Sequence, residues 1–128
     1  MNRIFKAATF LTVLFVAACN TVQIVNVEDR QLAVPPSTTM KQVESAILAG
    51  GRQLGWVMEP QSPGKIKGTL RLRTHVAVVD IVHSTQAFSI RYRDSTNLHY
   101  DGTNIHRNYN GWVGNLENSI ISHASTLQ

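Results

Sequence analysis

The single cysteine, Cys19, limits what this chain can become more than any other residue. With one thiol in 128 residues there is no internal disulfide and no cysteine-built zinc site of the CxxC…CxxC kind, so a hydrophobic core must hold the fold unstapled. Its position is equally telling. Residues 1–18 open with Met-Asn-Arg-Ile-Phe-Lys, run through an apolar stretch from Ala7 to Phe15 and close on Val16-Ala17-Ala18. A basic head, an apolar middle and a small-residue end are the parts of an export signal. The stretch from Ala7 to Ala18 has 12 residues, short of the ~20 helical residues that cross a ~30 Å hydrocarbon layer. It reads as a removable signal and not as a membrane span.

Val16-Ala17-Ala18-Cys19 resembles the lipobox of bacterial lipoproteins. The resemblance implies a signal peptide over 1–18 and a single periplasm-facing domain over 19–128 whose first residue, Cys19, carries a thioether-linked diacylglycerol and an amide-linked fatty acid. One acyl chain anchors only marginally, but each buried methylene adds ~0.8 kcal/mol, so three chains hold a protein on the bilayer for good. By the same resemblance, Asn20 stands where an aspartate is associated with inner-membrane retention, which implies the periplasmic face of the outer membrane. The alternative is a cysteine that falls by chance after an ordinary signal peptide.

Charge narrows the partner classes. Removing Arg3 and Lys6 with the signal leaves 10 of the 12 basic side chains against 8 acidic ones, a net charge of +2. A nucleic-acid binder that works through phosphate contacts carries a larger basic excess, so nucleic acid is not an expected partner. A mean hydropathy of −0.09 with 8 glycines and 4 prolines also excludes collagen-like and disordered classes.

Along the mature chain, Thr21 to Val27 is β-like from the start, leaving a tether of a residue or two. Pro35-Pro36 breaks this pattern. Thr39 with Gln42 fits a capping box, and Met40, Val43, Ile47 and Leu54 share a helical face, which predicts a helix over about 39–54. Gly50-Gly51 inside it implies close packing against a sheet, and Gly55 suits the position after the helix. Glu59 to Gly64 reads as a loop. Three strands follow: Ile66 to Arg73 with clean alternation, His75 to Val82 as a central strand covered on both sides for part of its length, and Phe88 to Arg93. After a polar link, Ile105, Tyr109, Trp112, Val113, Leu116 and Ile120 form the stripe of an amphipathic helix with Asn104 as its N-cap. The order β-α-β-β-β-α predicts an α+β two-layer sandwich, an antiparallel sheet with both helices on one face.

On that fold, the face away from the helices presents Lys67, Arg71, Arg73, Arg91 and Arg93. Such a panel can meet anionic headgroups, where each cation contributes ~1 kcal/mol. Equally, alternating cations solvate an outer face and deter edge pairing, with Asp80 as a partner. The five histidines match no metal-ligand spacing: there is no HExxH and no pair at i, i+4. No GxSxG elbow, phosphate loop or cofactor motif occurs, the acids are scattered singly, and an acylated Cys19 is no nucleophile, so an enzyme is not expected. A small hydrolase using His99 or His106 ranks last.

The stretch from Ser89 to Val113 combines Ser89-Ile90-Arg91-Tyr92, Asp94-Ser95-Thr96-Asn97-Leu98-His99-Tyr100 and Ile105-His106-Arg107-Asn108-Tyr109-Asn110-Gly111-Trp112-Val113. Over about 55–116 it resembles a group of small Gram-negative lipoproteins of unassigned activity, which implies a location and no catalytic residues. Tyr100, Asn108 and Trp112 belong to an aromatic-plus-amide set suited to sugar or peptide contacts, or to packing a helix on a sheet while asparagines cap turns. Two roles follow as expectations: a non-catalytic binding or assembly module of the cell envelope, or a subunit that docks a protein partner through residues 100–112. No motif specifies an oligomeric state.

Overall fold

A computed structural model describes residues 11–12 and 20–128; the rest of the expected signal segment 1–18, and Cys19, lie outside the described residues. The described residues form two sheets and two helices. Strands β1 (Thr21–Gln23), β2 (Val27–Gln31), β3 (Val57–Ser62), β4 (Lys65–Leu72), β5 (His75–His83), β6 (Ala87–Thr96) and β7 (Asn104–His106) are joined by helices α1 (Met40–Gln53) and α2 (Asn108–Ala124). All strand pairs are antiparallel. The main sheet has the order β2-β6-β5-β4-β3, and β1 pairs with β7 in a separate ribbon. The α+β two-layer architecture is that expected. No described helix is long and apolar enough to cross a membrane.

Each layer follows from local sequence. α1 starts at the Thr39–Gln42 capping box, in which the Gln42 N–H donates to Thr39 Oγ1 at 3.2 Å and the Thr39 N–H donates to Gln42 Oε1 at 2.9 Å. It stops in a Schellman turn: Gly55 takes φ +84°, Trp56 N–H reaches the Gly51 carbonyl and Gly55 N–H that of Arg52. One core joins sheet and helices. Val43 and Ile47 of α1 and Leu116 and Ile120 of α2 pack with Ile66, Ala77, Val79, Ile81, Phe88 and Ile90. Each of the larger apolar side chains contributes roughly 1.5–3 kcal/mol by leaving water.

Several expectations are corrected. The segment 21–27 is not one strand: β1 and β2 belong to different sheets, and the chain crosses between them because Asn26 Oδ1 accepts from Tyr92 N–H and Asn110 Oδ1 accepts from Val25 N–H. Most of the expected 59–64 loop is strand β3, with only Pro63-Gly64 left as its turn. Proline is tolerated there because β3 is a sheet edge, where its missing donor breaks no ladder. β5 lies central, but its Ala77, Val79 and Ile81 are buried while Val82 faces solvent, so it is covered on one side. Ile105 and Asn104 lie in β7 and not in the second helix, since Ile105 pairs with Val22; α2 begins at Asn108 without a side-chain cap. Of the glycine pair, Gly51 meets Met58 of the sheet as expected, but Gly50 packs on α2.

Candidate functional site

Two surfaces carry the residues that the sequence singled out. On the sheet's outer face, cross-strand register aligns Glu59 with Lys67, Lys67 with Asp80 and Asp80 with Arg91. A bulge leaves Arg93 unpaired in the ladder and lets it reach the same Asp80. The row closes on Glu28 of the edge strand, so charge alternates across all five strands. Lys67 bridges Glu59 at 3.2 Å, Arg93 bridges Asp80 at 3.2 Å, and Arg91 holds Glu28 at 2.9 Å. Arg91 makes a two-pronged contact through Nε and Nη2. Hydrogen bonding to Arg91 holds the Glu28 carboxyl below its usual range, and the same contact pushes the guanidinium up.

The expected cationic panel is thus largely neutralised by acids on the same face. Arg71 and Arg73 stand apart from it, with no ion pair among the described residues. Arg73 sits in the β4–β5 turn at φ +56°.

The second surface is the end of the sandwich where β4 turns into β5, α1 stops and α2 starts. Here Leu72, Arg73, His75, Asn108 and Trp112 line a cavity of about 330 Å³. Leu72 and Trp112 continue into a smaller one of about 120 Å³ with Leu54, Trp56, Leu70 and Asn115. His75 Nδ1 donates to the Asn97 carbonyl at 2.8 Å, and its ring lies 5.4 Å from that of His106 and 6.2 Å from Trp112. The Asn108 N–H donates to His106 Nδ1. Three of the sequence candidates, Arg73, Asn108 and Trp112, therefore meet, joined by Leu72 and His75. Nothing in the local pattern around Leu72 or His75 signals this, because the turn and the helix start are more than thirty residues apart.

Tyr100 is placed elsewhere. Its ring stacks on Tyr92 at 4.0 Å, and Tyr92 meets Tyr109 edge-on at 5.8 Å. Burial raises the pKa of both Tyr92 and Tyr109. The loop between them is pinned by Asp101, whose Oδ1 accepts from Asn104 N–H at 2.7 Å and Thr103 N–H at 2.9 Å; those bonds hold its carboxyl below the usual range.

At the opposite end, sequence reading missed His83. Its Nδ1 donates to the Ser84 carbonyl at 3.1 Å, while Nε2 is the one buried side-chain polar atom without a partner among the described residues. Extending the alternation Ala77, Val79, Ile81 by one step points His83 inward, a signal available in the sequence. Among the described residues no three His, Cys, Asp or Glu side chains converge as a metal site. Compared with protein-family models, curated proteins and solved structures, the chain matches none.

Proposed function

We propose that this chain is exported, acylated on Cys19 and displayed on the periplasmic face of the outer membrane, where it serves as a non-catalytic binding or assembly module of the cell envelope. One observation carries the reading. The only cysteine closes a signal-like segment, and the residue right after it is already held by the domain: the Asn20 carbonyl accepts from Arg107 N–H at 3.0 Å, and β1 starts at Thr21. A chain built this way uses Cys19 as the junction between an anchor and a folded domain, with no spacer.

The surfaces support binding over catalysis. The outer sheet face is an ion-paired row, and the α2-start end combines an aromatic ring, an amide, a histidine whose Nδ1 is held by a main-chain carbonyl and an arginine with no ion pair among the described residues, groups suited to recognising a partner. The test is intact mass and membrane fractionation of the chain from a Gram-negative host, beside Cys19→Ala. A triacylated protein starting at Cys19 in the outer-membrane fraction, with the variant unprocessed, is the expected result. A soluble, unlipidated wild-type product overturns the reading.

A further inference from the structure

We infer that the end of the domain built from Leu54, Leu72, Arg73, Arg107 and Trp112 is a bilayer-contact surface, fixed against the phospholipid headgroups by the position of the anchor. The inference rests on acylation of Cys19 as proposed above and adds which side of the domain faces the membrane.

The geometry leaves the domain little freedom. Consecutive Cα atoms are about 3.8 Å apart, so if Cys19 enters the bilayer, Asn20 stands at headgroup level. Asn20 does not swing on a flexible tether, because its carbonyl is held by the main chain of Arg107 and its neighbour Thr21 is paired with His106. The start of α2 is therefore pinned to the anchor point. The two cavities around Trp112 open at that same end, since Asn108 follows Arg107 directly and Trp112 lies one turn further along α2.

The chemistry of this end suits a headgroup layer. Leu54 and Leu72, which line the smaller cavity with Trp112, are exposed at 40% and 41%. Trp112 is half-buried beside them, and tryptophan concentrates at the boundary between hydrocarbon and water. Arg73 and Arg107 are exposed and make no ion pair among the described residues, so their charge is available to phosphates. No carboxylate lines either cavity. Asp101 lies beyond the other end of the β1–β7 ribbon, with its carboxylate engaged by main-chain N–H groups. The Arg91 and Arg93 row, by contrast, is already neutralised by Glu28, Glu59 and Asp80 and has no such link to Asn20.

The test uses the full chain, matured in a Gram-negative host, checked by mass and reconstituted in phosphatidylethanolamine–phosphatidylglycerol vesicles containing acyl-brominated lipid. The chain has two tryptophans, and Trp56 is buried in the core. Brominated lipid is expected to quench mainly the Trp112 share of the emission, since Trp56 lines the smaller cavity but is buried, and Trp112→Phe is expected to remove most of the quenching. Replacing both Arg73 and Arg107 with Glu should reduce quenching in these vesicles while the protein stays membrane-bound. A triacylated chain whose emission is untouched by brominated lipid overturns the inference alone and leaves this end to a protein partner. A mature chain without lipid overturns the anchored reading and the inference with it.

Discussion

The Ser119 hydroxyl donates a 2.8 Å hydrogen bond to the main-chain carbonyl of Gly50, joining the two helices through the last turn of the first. That carbonyl is one of those left over at a helix C-terminus, because the Leu54 N–H turns to Gly51 instead. The approach depends on the absence of a side chain: a Cβ on Gly50 would lie 3.0 Å from the Ile120 nitrogen and 3.1 Å from its Cα.

The two adjacent glycines should therefore respond differently to alanine. Each substitution gains ~1 kcal/mol of helix propensity. At Gly50 the obstacle is backbone, which moves only with the helix, and overpacking of this kind costs roughly 1–3 kcal/mol. Gly50→Ala is expected to destabilise. At Gly51 the obstacle is the Met58 side chain, flexible but buried in the core and met from its Cγ outward, so Gly51→Ala should destabilise less than Gly50→Ala. Ser119→Ala should cost about 1 kcal/mol for the lost bond. Urea unfolding of the three variants checks this; Gly50→Ala proving more stable than Gly51→Ala would contradict the packing argument.

Acid should weaken the fold through two exposed carboxylates. Glu28 and Asp101 have folded pKa values below their ordinary 4.5 and 3.8, held down by Arg91 and by main-chain N–H groups respectively. A depressed folded pKa gives stability that is complete above the ordinary value and is lost as pH falls through the folded one. Asn keeps an acceptor oxygen without titrating, so Asp101→Asn, combined with Glu28→Gln, is expected to melt with a shallower decline between about pH 5 and about pH 3. An unchanged slope would remove these groups from the acid response.

Alkali should act through Tyr109. Burial keeps its phenol protonated well above the ordinary value of 10.0. With the folded pKa raised, the stabilisation is complete below the ordinary value and drains away as pH climbs toward the folded one. Tyr109→Phe retains the ring against Tyr92 and removes the titration. Its melting temperature should then vary less than that of wild type above about pH 10, and a matching alkaline decline would count against Tyr109.

The charge row and the Trp112 end should separate under mutation. Arg91→Glu places three acids side by side with Glu28 and Asp80, and is expected to lower the melting temperature, most visibly at low salt. Adding Glu28→Arg restores the pair with the edge strand but leaves the new acid opposite Asp80, so it should recover only part of that loss. Quenching of Trp112 by brominated lipid should be insensitive to Arg91→Glu and weakened by Arg73→Glu; the reverse ranking would move the membrane contact to the sheet face.

Sequence alone determined the features that depend on neighbours along the chain. The Thr39–Gln42 box, the Gly55 stop, the inward-facing Ile66, Gly68 and Leu70 and the Tyr109-to-Ile120 stripe all set local backbone or burial preferences and stand where those preferences put them, although Thr69 is buried and Leu72 is exposed against the alternation. The lone cysteine and the signal-like segment before it were equally plain, since they need no fold to be read. Tertiary structure decided what depends on pairing between distant segments. Val57 to Ser62 is a strand because β4 offers it an edge, and Ile105 leaves the helix because Val22 claims it. Asp80 was legible as a partner for the cations of this face and pairs with Arg93, but Glu28, more than sixty residues away from Arg91, is brought to the same face only by the order β2-β6-β5. Arg73, His75 and Trp112 became one site for the same reason: a strand turn and a helix start meet only when the two layers close. Short-range propensity is written residue by residue, whereas the energy that selects a partner across the sheet comes from burying the whole core at once.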